Sequence, residues 1–143
     1  MKAMLNRLGC DESGSMAIEF ALLVPLLITM LLGVFQIGLA MQSYNAMRGA
    51  TADIARYAVI EYQNDNFRDT NDLTTTARAM ATAAPYMLDN TRLTISVSRP
   101  LTQRVAGTTE LAISVSYTVP SVMKLIGVSD LRLNYSRPVF LTE

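Results

Sequence analysis

Chemistry has few places to reside in this chain. Among 143 residues there is no His, no Trp and a single Cys, Cys10, which excludes imidazole acid–base work, His–Cys metal clusters and an internal disulfide. Asp65, Asp69 and Asp72 lie near one another but lack the regular alternation of oxygen ligands that a calcium loop demands. Neither a glycine-rich phosphate loop nor a zinc spacing occurs. One carboxylate stands apart: Glu19, set between Ile18 and Phe20 at the entrance to a run without charge.

A carboxylate at the edge of an apolar phase carries a desolvation cost unless it is paired or reaches the interface. Snorkelling to the boundary is the simplest resolution. A second follows from the residues upstream. Gly14 lies five positions before Glu19 in a short polar segment, Asp11 to Ser15, suited to entering a peptidase groove as an extended strand. Cutting after Gly14 places a new amine on Ser15, four residues from Glu19. The carboxylate can then bind that amine, or the amine of a neighbouring subunit, close to the unpaired amide groups that open the helix. Such a pair sets register between helices more than it adds net energy.

The element that positions Glu19 is the run from Phe20 to Met41, FALLVPLLITMLLGVFQIGLAM, 22 residues without a charge. At about 1.5 Å per residue it measures roughly 33 Å, against a hydrocarbon core near 30 Å. A core helix on the rim of a small domain would have to show a polar face to water. A secretory signal peptide would have a shorter apolar stretch and no carboxylate at its entrance. A membrane-spanning helix is therefore the expectation. Pro25, which lacks an amide donor and is expected to bend the span, and Gly33 and Gly38, which permit close approach, read as helix-packing residues. Lys2 and Arg7 precede the run and Arg48 and Arg56 follow it, so charge leaves the orientation open.

Helical periodicity continues beyond the run, with Met47, Ala50, Ile54 and Tyr57 on one face opposite Arg48, Asp53 and Arg56, which predicts an amphipathic extension packed on a distal domain. After the polar break of residues 62–72, a second helix is expected, capped by Asp69 or Asn71 and striped by Leu73, Ala77, Met80 and Ala84 before Pro85. Its weak point is the run Thr74 to Thr76. The period then changes to two. Residues 91–98, 109–119 and 131–136 predict three strands, with Leu93, Ile95 and Val97, then Leu111, Ile113, Val115, Tyr117 and Val119, then Leu131, Leu133 and Tyr135 facing inward. Ser96, Ser98, Ser114 and Ser116 form the opposite face. The predicted fold is α+β: an N-terminal membrane-spanning helix extended into a domain with a small antiparallel sheet of about three strands, covered by the helical rod. The chain divides into residues 1–14, a leader; residues 15–61, the membrane helix and its extension, with its apolar span at 20–41; and residues 62–143, a small external domain.

The segment GSMAIEFALLVPLLITMLLGVFQIG, beginning at Gly14, resembles the N-terminus of the TadE-like family, minor pilins or pseudopilins of Flp-type (Tad) pilus assembly systems. The resemblance rests on Gly14, the four residues Ser15 to Ile18, then Glu19 and Phe20, followed by the Ala- and Arg-bearing stretch RGATADIARYAV from Arg48 to Val59. It implies cleavage by prepilin peptidase between Gly14 and Ser15, with Glu19 and Phe20 serving processing and assembly. It also implies a place in the bacterial inner membrane with the C-terminal domain facing the periplasm or cell exterior. The implied partners are other minor pilins, the major Flp pilin, and an inner-membrane platform and secretion ATPase reached indirectly.

Composition agrees with a packing role. Twelve basic residues balance twelve acidic ones, leaving no field to recruit nucleic acid, and the basic residues lack interleaved aromatics for base stacking. Removal of the leader takes Lys2, Arg7, Asp11 and Glu12 together with Cys10, so the charge stays balanced and no thiol remains. The expectation is a structural subunit, not an enzyme, without metal or cofactor. The alternative is an unprocessed single-pass module that anchors or binds an envelope partner.

Overall fold

The computed structural model describes residues 13–66 and 68–142. The expected leader therefore lies outside the described residues except for Ser13 and Gly14, and so does Cys10. The elements run α1 (Ser13–Gln63), α2 (Thr70–Thr82), β1 (Leu93–Ser98), β2 (Thr109–Val119) and β3 (Leu131–Leu141), with a 3-10 turn at Lys124–Ile126 before β3. This is the α+β arrangement expected: one long apolar helix, a short second helix, and a three-stranded antiparallel sheet.

Helix α1 has 51 residues, about 75 Å at 1.5 Å per residue. It remains α-helical through Pro25, although that residue leaves the Ala21 carbonyl without its usual amide donor. The Thr29 hydroxyl donates back to the Pro25 carbonyl at 2.7 Å. The two halves of the rod live in different surroundings. Leu22 is 74% exposed and Val34 71%, whereas Met47 and Thr51 are fully buried. Only the C-terminal half is amphipathic, and only that half packs on the rest of the molecule.

The expected stripe of Met47, Ala50 and Ile54 is in the core, joined by Ala55 and Ala58. Tyr57 departs from expectation: it is only partly buried and packs at the rim of the core. Thr51 is buried because its hydroxyl donates to the Met47 carbonyl at 2.7 Å, which satisfies the polar atom within the helix itself.

Helix α2 is capped by Asp69, whose Oδ1 accepts the Thr70 amide at 2.8 Å. Leu73, Ala77 and Ala81 are its buried stripe. Met80 is half-buried, and Ala84 lies beyond the end of the helix and is exposed. The threonines that weakened the helical reading turn their hydroxyls to the preceding turn: Thr74 to the Thr70 carbonyl at 2.7 Å and Thr75 to that of Asn71 at 3.0 Å. Thr74 Oγ1 also accepts the Val97 amide of β1, and Arg78 donates to the Leu93 carbonyl. Helix α2 thus covers the outer edge of β1, which would otherwise offer unpaired backbone groups.

The sheet is an antiparallel meander in the order β1-β2-β3. Leu93 opposes Tyr117, and Leu111 opposes Val139. The predicted inward residues of β1 and β2 are all buried. Strand β3 is longer than expected, continuing past Ser136 through Pro138 to Leu141. A proline argues against a central strand but is tolerated at an edge, and β3 is an edge. Its buried residues are Val139 and Leu141, while Leu131 is exposed and Leu133 and Tyr135 are half-buried.

Candidate functional site

Gly14 and Ser15 lie in the first turn of α1, not in an extended strand, and both are exposed. The opening amides of a helix have no intrahelical acceptor, so this turn is the part of α1 that unwinds at least cost. A Cβ added at Gly14 meets nothing within 4 Å. Glu19 and Phe20 follow one turn later, both exposed, and no ion pair to Glu19 forms among the described residues. Four residues place Glu19 about 6 Å along the axis from Ser15 on the same face, within reach of an amine at that position.

Gly33 and Gly38 likewise face open space, since a Cβ at either meets nothing within 4 Å. They serve no close contact among the described residues. The first residue of the helix to be hydrogen-bonded to the domain is Gln36. Its Oε1 accepts the Val122 amide at 2.8 Å and its Nε2 donates to the Pro120 carbonyl at 3.3 Å. Its partners lie 84 and 86 positions away, beyond the reach of any local pattern. The bare length of helix therefore runs from Gly14 to Phe35, and the last six residues of the apolar run lie beside the domain.

Above Gln36 the helix climbs the sheet alongside β3. Tyr44 meets Tyr135 edge-on with ring centroids 5.9 Å apart. Further up, Arg56 and Ile60 share a groove with Arg137 and Phe140. Gly49 has a contact reason: an added Cβ would lie 2.7 Å from Cε1 of Tyr86, whose hydroxyl donates to Asp53 Oδ2 at 2.5 Å. That hydrogen bond to Asp53 holds the Tyr86 hydroxyl above its ordinary pKa. Asp53, which periodicity places opposite the apolar stripe, thus ties α1 to the segment after α2.

The least expected residue is Glu110, which alternation assigns to the serine face but which is fully buried. The loop between β1 and β2 folds over it. Arg104 pairs with the carboxylate through its guanidinium and donates its backbone amide at 3.2 Å. The same guanidinium lies 5.8 Å from the centroid of Phe140, the residue opposite Glu110 on β3. The Arg104 side-chain hydrogen bond holds Glu110 below the ordinary carboxylate range. At the other end of the sheet, Asp130 is held low chiefly by the Ser121 amide at 2.8 Å, then by Lys124.

The serine face lies as expected on the outside of the sheet, with Ser96, Ser98 and Ser114 exposed. Cross-strand hydroxyls at Ser114 and Ser136 are 3.3 Å apart. Among the described residues no cluster of three or more Cys, Asp or Glu side chains is placed to hold a metal ion, and one helix is long and apolar enough to cross a membrane. The profile of the TadE-like protein family matches residues 14–56, from the glycine of the proposed cleavage site to the middle of the domain-packed half of α1. No curated protein and no solved structure matches the chain.

Proposed function

We propose that the chain is a minor pilin or pseudopilin that takes part in initiating or assembling an Flp-type (type IVc, Tad) pilus. Prepilin peptidase cuts the precursor between Gly14 and Ser15. The mature subunit sits in the bacterial inner membrane by α1, with the sheet domain on the periplasmic or exterior side. It is a substrate of peptidase chemistry and works by packing, with no catalytic residue and no cofactor. Its partners are other minor pilins, the major pilin and the inner-membrane assembly platform.

One observation carries this reading: the TadE-like match begins at Gly14 and covers a bare apolar helix whose glycines Gly33 and Gly38 face open space among the described residues. Exposed leucines from Leu22 to Leu31 are stable in lipid or among other helices, not in water. Gly33 and Gly38 allow a neighbouring helix to approach closely. The Ala21 carbonyl, left free by Pro25, is available to a donor from a neighbour. Glu19 pairs with the amine of Ser15, its own or that of an adjacent subunit, and so fixes the register of helices packed side by side.

The test is Glu19→Ala in a piliated host. The variant is expected to insert in the membrane at the normal level, to lose most of its co-purification with other pilins, and to reduce piliation. Unchanged co-purification and unchanged piliation would overturn the pairing role.

A further inference from the structure

The connection from β2 to β3, residues 120–130, is held against α1 at the point where the bare helix ends. Gln36 grips it at Pro120 and Val122. Given that Gly14–Phe35 crosses a bilayer, the reading on which this inference rests, a connection fixed one residue beyond Phe35 lies at the level of the headgroups. Beside the exposed polar side chains of Lys124, Ser129 and Asp130, it carries three large apolar residues at the surface, Val122, Ile126 and Val128, with Ile126 52% exposed.

Six backbone amides of the connection are hydrogen-bonded, counting that of Val122 to Gln36. Ser121 donates to Asp130, Met123 to the Ser121 hydroxyl, Ile126 and Val128 to the Met123 carbonyl, and Gly127 to that of Lys124. Those bonds remove much of the cost of taking a loop out of water. Lys124 is exposed and pairs with Asp130 at 3.0 Å, and a lysine at a membrane interface can keep its ammonium in the polar layer. The apolar surface also continues from the helix, because Ile37, Met41 and Leu131 line one groove of about 340 Å³. The hairpin loop carrying Leu101 is at the opposite end of β2, whose eleven residues span about 33 Å.

We propose that residues 120–130 form a membrane foot: Val122, Ile126 and Val128 insert into the interfacial layer of the bilayer that α1 spans, fixing the height and tilt of the sheet domain over the lipid surface.

Depth-resolved fluorescence quenching tests this. The full chain, in a Cys10→Ser background, is reconstituted at low density in phosphatidylcholine–phosphatidylglycerol vesicles with a single polarity-sensitive label at Leu27→Cys, Ile126→Cys or Leu101→Cys, and spin-labelled lipids serve as quenchers. Val128→Cys repeats the measurement at a second site of the foot. The label at 27 is expected to be quenched by deep probes, those at 126 and 128 by shallow probes with blue-shifted emission, and that at 101 by neither. If 27 is quenched while 126 and 128 behave like 101, the foot is wrong and the span stands. Blue-shifted but unquenched labels at 126 and 128, with emission that reverts on dilution of protein in lipid, would overturn it in favour of a protein-facing surface. An unquenched label at 27 would overturn the span and the foot together.

Discussion

Glu19 and Glu110 are carboxylates in apolar settings, and the sequence treats them differently. Glu19 stands out because everything for two dozen positions after it is uncharged, so its oddity is a local fact. Glu110 is hidden in an alternating strand pattern and is buried only because Arg104 returns over it from a loop, a contact with no periodic signature. Its chemistry is visible in acid. Glu110 and Asp130 both have folded pKa values below their ordinary range, so the stabilisation they give is complete above that range and is lost as pH falls through the lowered folded values. Glu110→Gln should therefore flatten the acid limb of a stability-versus-pH profile, followed by circular dichroism of the detergent-solubilised protein. Gly49→Ala should destabilise the domain by about 1–3 kcal/mol through collision with the Tyr86 ring, measured by chemical denaturation. Tyr86→Phe, which keeps the ring but loses its hydrogen bond to Asp53, should cost about 1 kcal/mol. Gly14→Val should insert normally and remain uncut when challenged with prepilin peptidase.

The elements were largely legible because their periods are clean. Strand β2 has the bounds and the buried face that strict alternation predicts. Strand β3 runs past the expected end at Ser136 to Leu141, and its edge position is what lets it pass through Pro138. Helix α2 was weak on propensity and is real because tertiary bonds from Thr74 and Arg78 to β1 reward it. Within α1 the apolar run and the free run differ in phase. With Gly14–Phe35 as the bare length, a hydrocarbon core near 30 Å takes up about 20 residues, which brings Glu19 about one turn inside the apolar layer instead of at its edge. That depth favours pairing over snorkelling. The division of labour along the molecule is also measurable. Ile113→Ala, at a fully buried core position, should cost the domain about 2–5 kcal/mol, whereas Leu27→Ala, exposed on the bare helix, should leave its denaturation midpoint unchanged.

Considered whole, the molecule is a rod with a sheet strapped to its upper half. A three-stranded sheet this small has one apolar face to hide, and the amphipathic half of α1 and the short α2 hide it. Among the described residues nothing covers the lower half. The absence of histidine and the lone Cys10 in the expected leader suit a mature subunit whose work is contact. The competing reading, an unprocessed anchor, shares the rod, the sheet and the foot, and differs only in whether the first fourteen residues are kept. The intact mass of the membrane-extracted protein, made with and without its cognate prepilin peptidase, separates the two. With the peptidase, the mass should be that of residues 15–143, and without it that of the full chain. Retention of Met1 to Gly14 in the presence of active peptidase would contradict the processed-pilin reading.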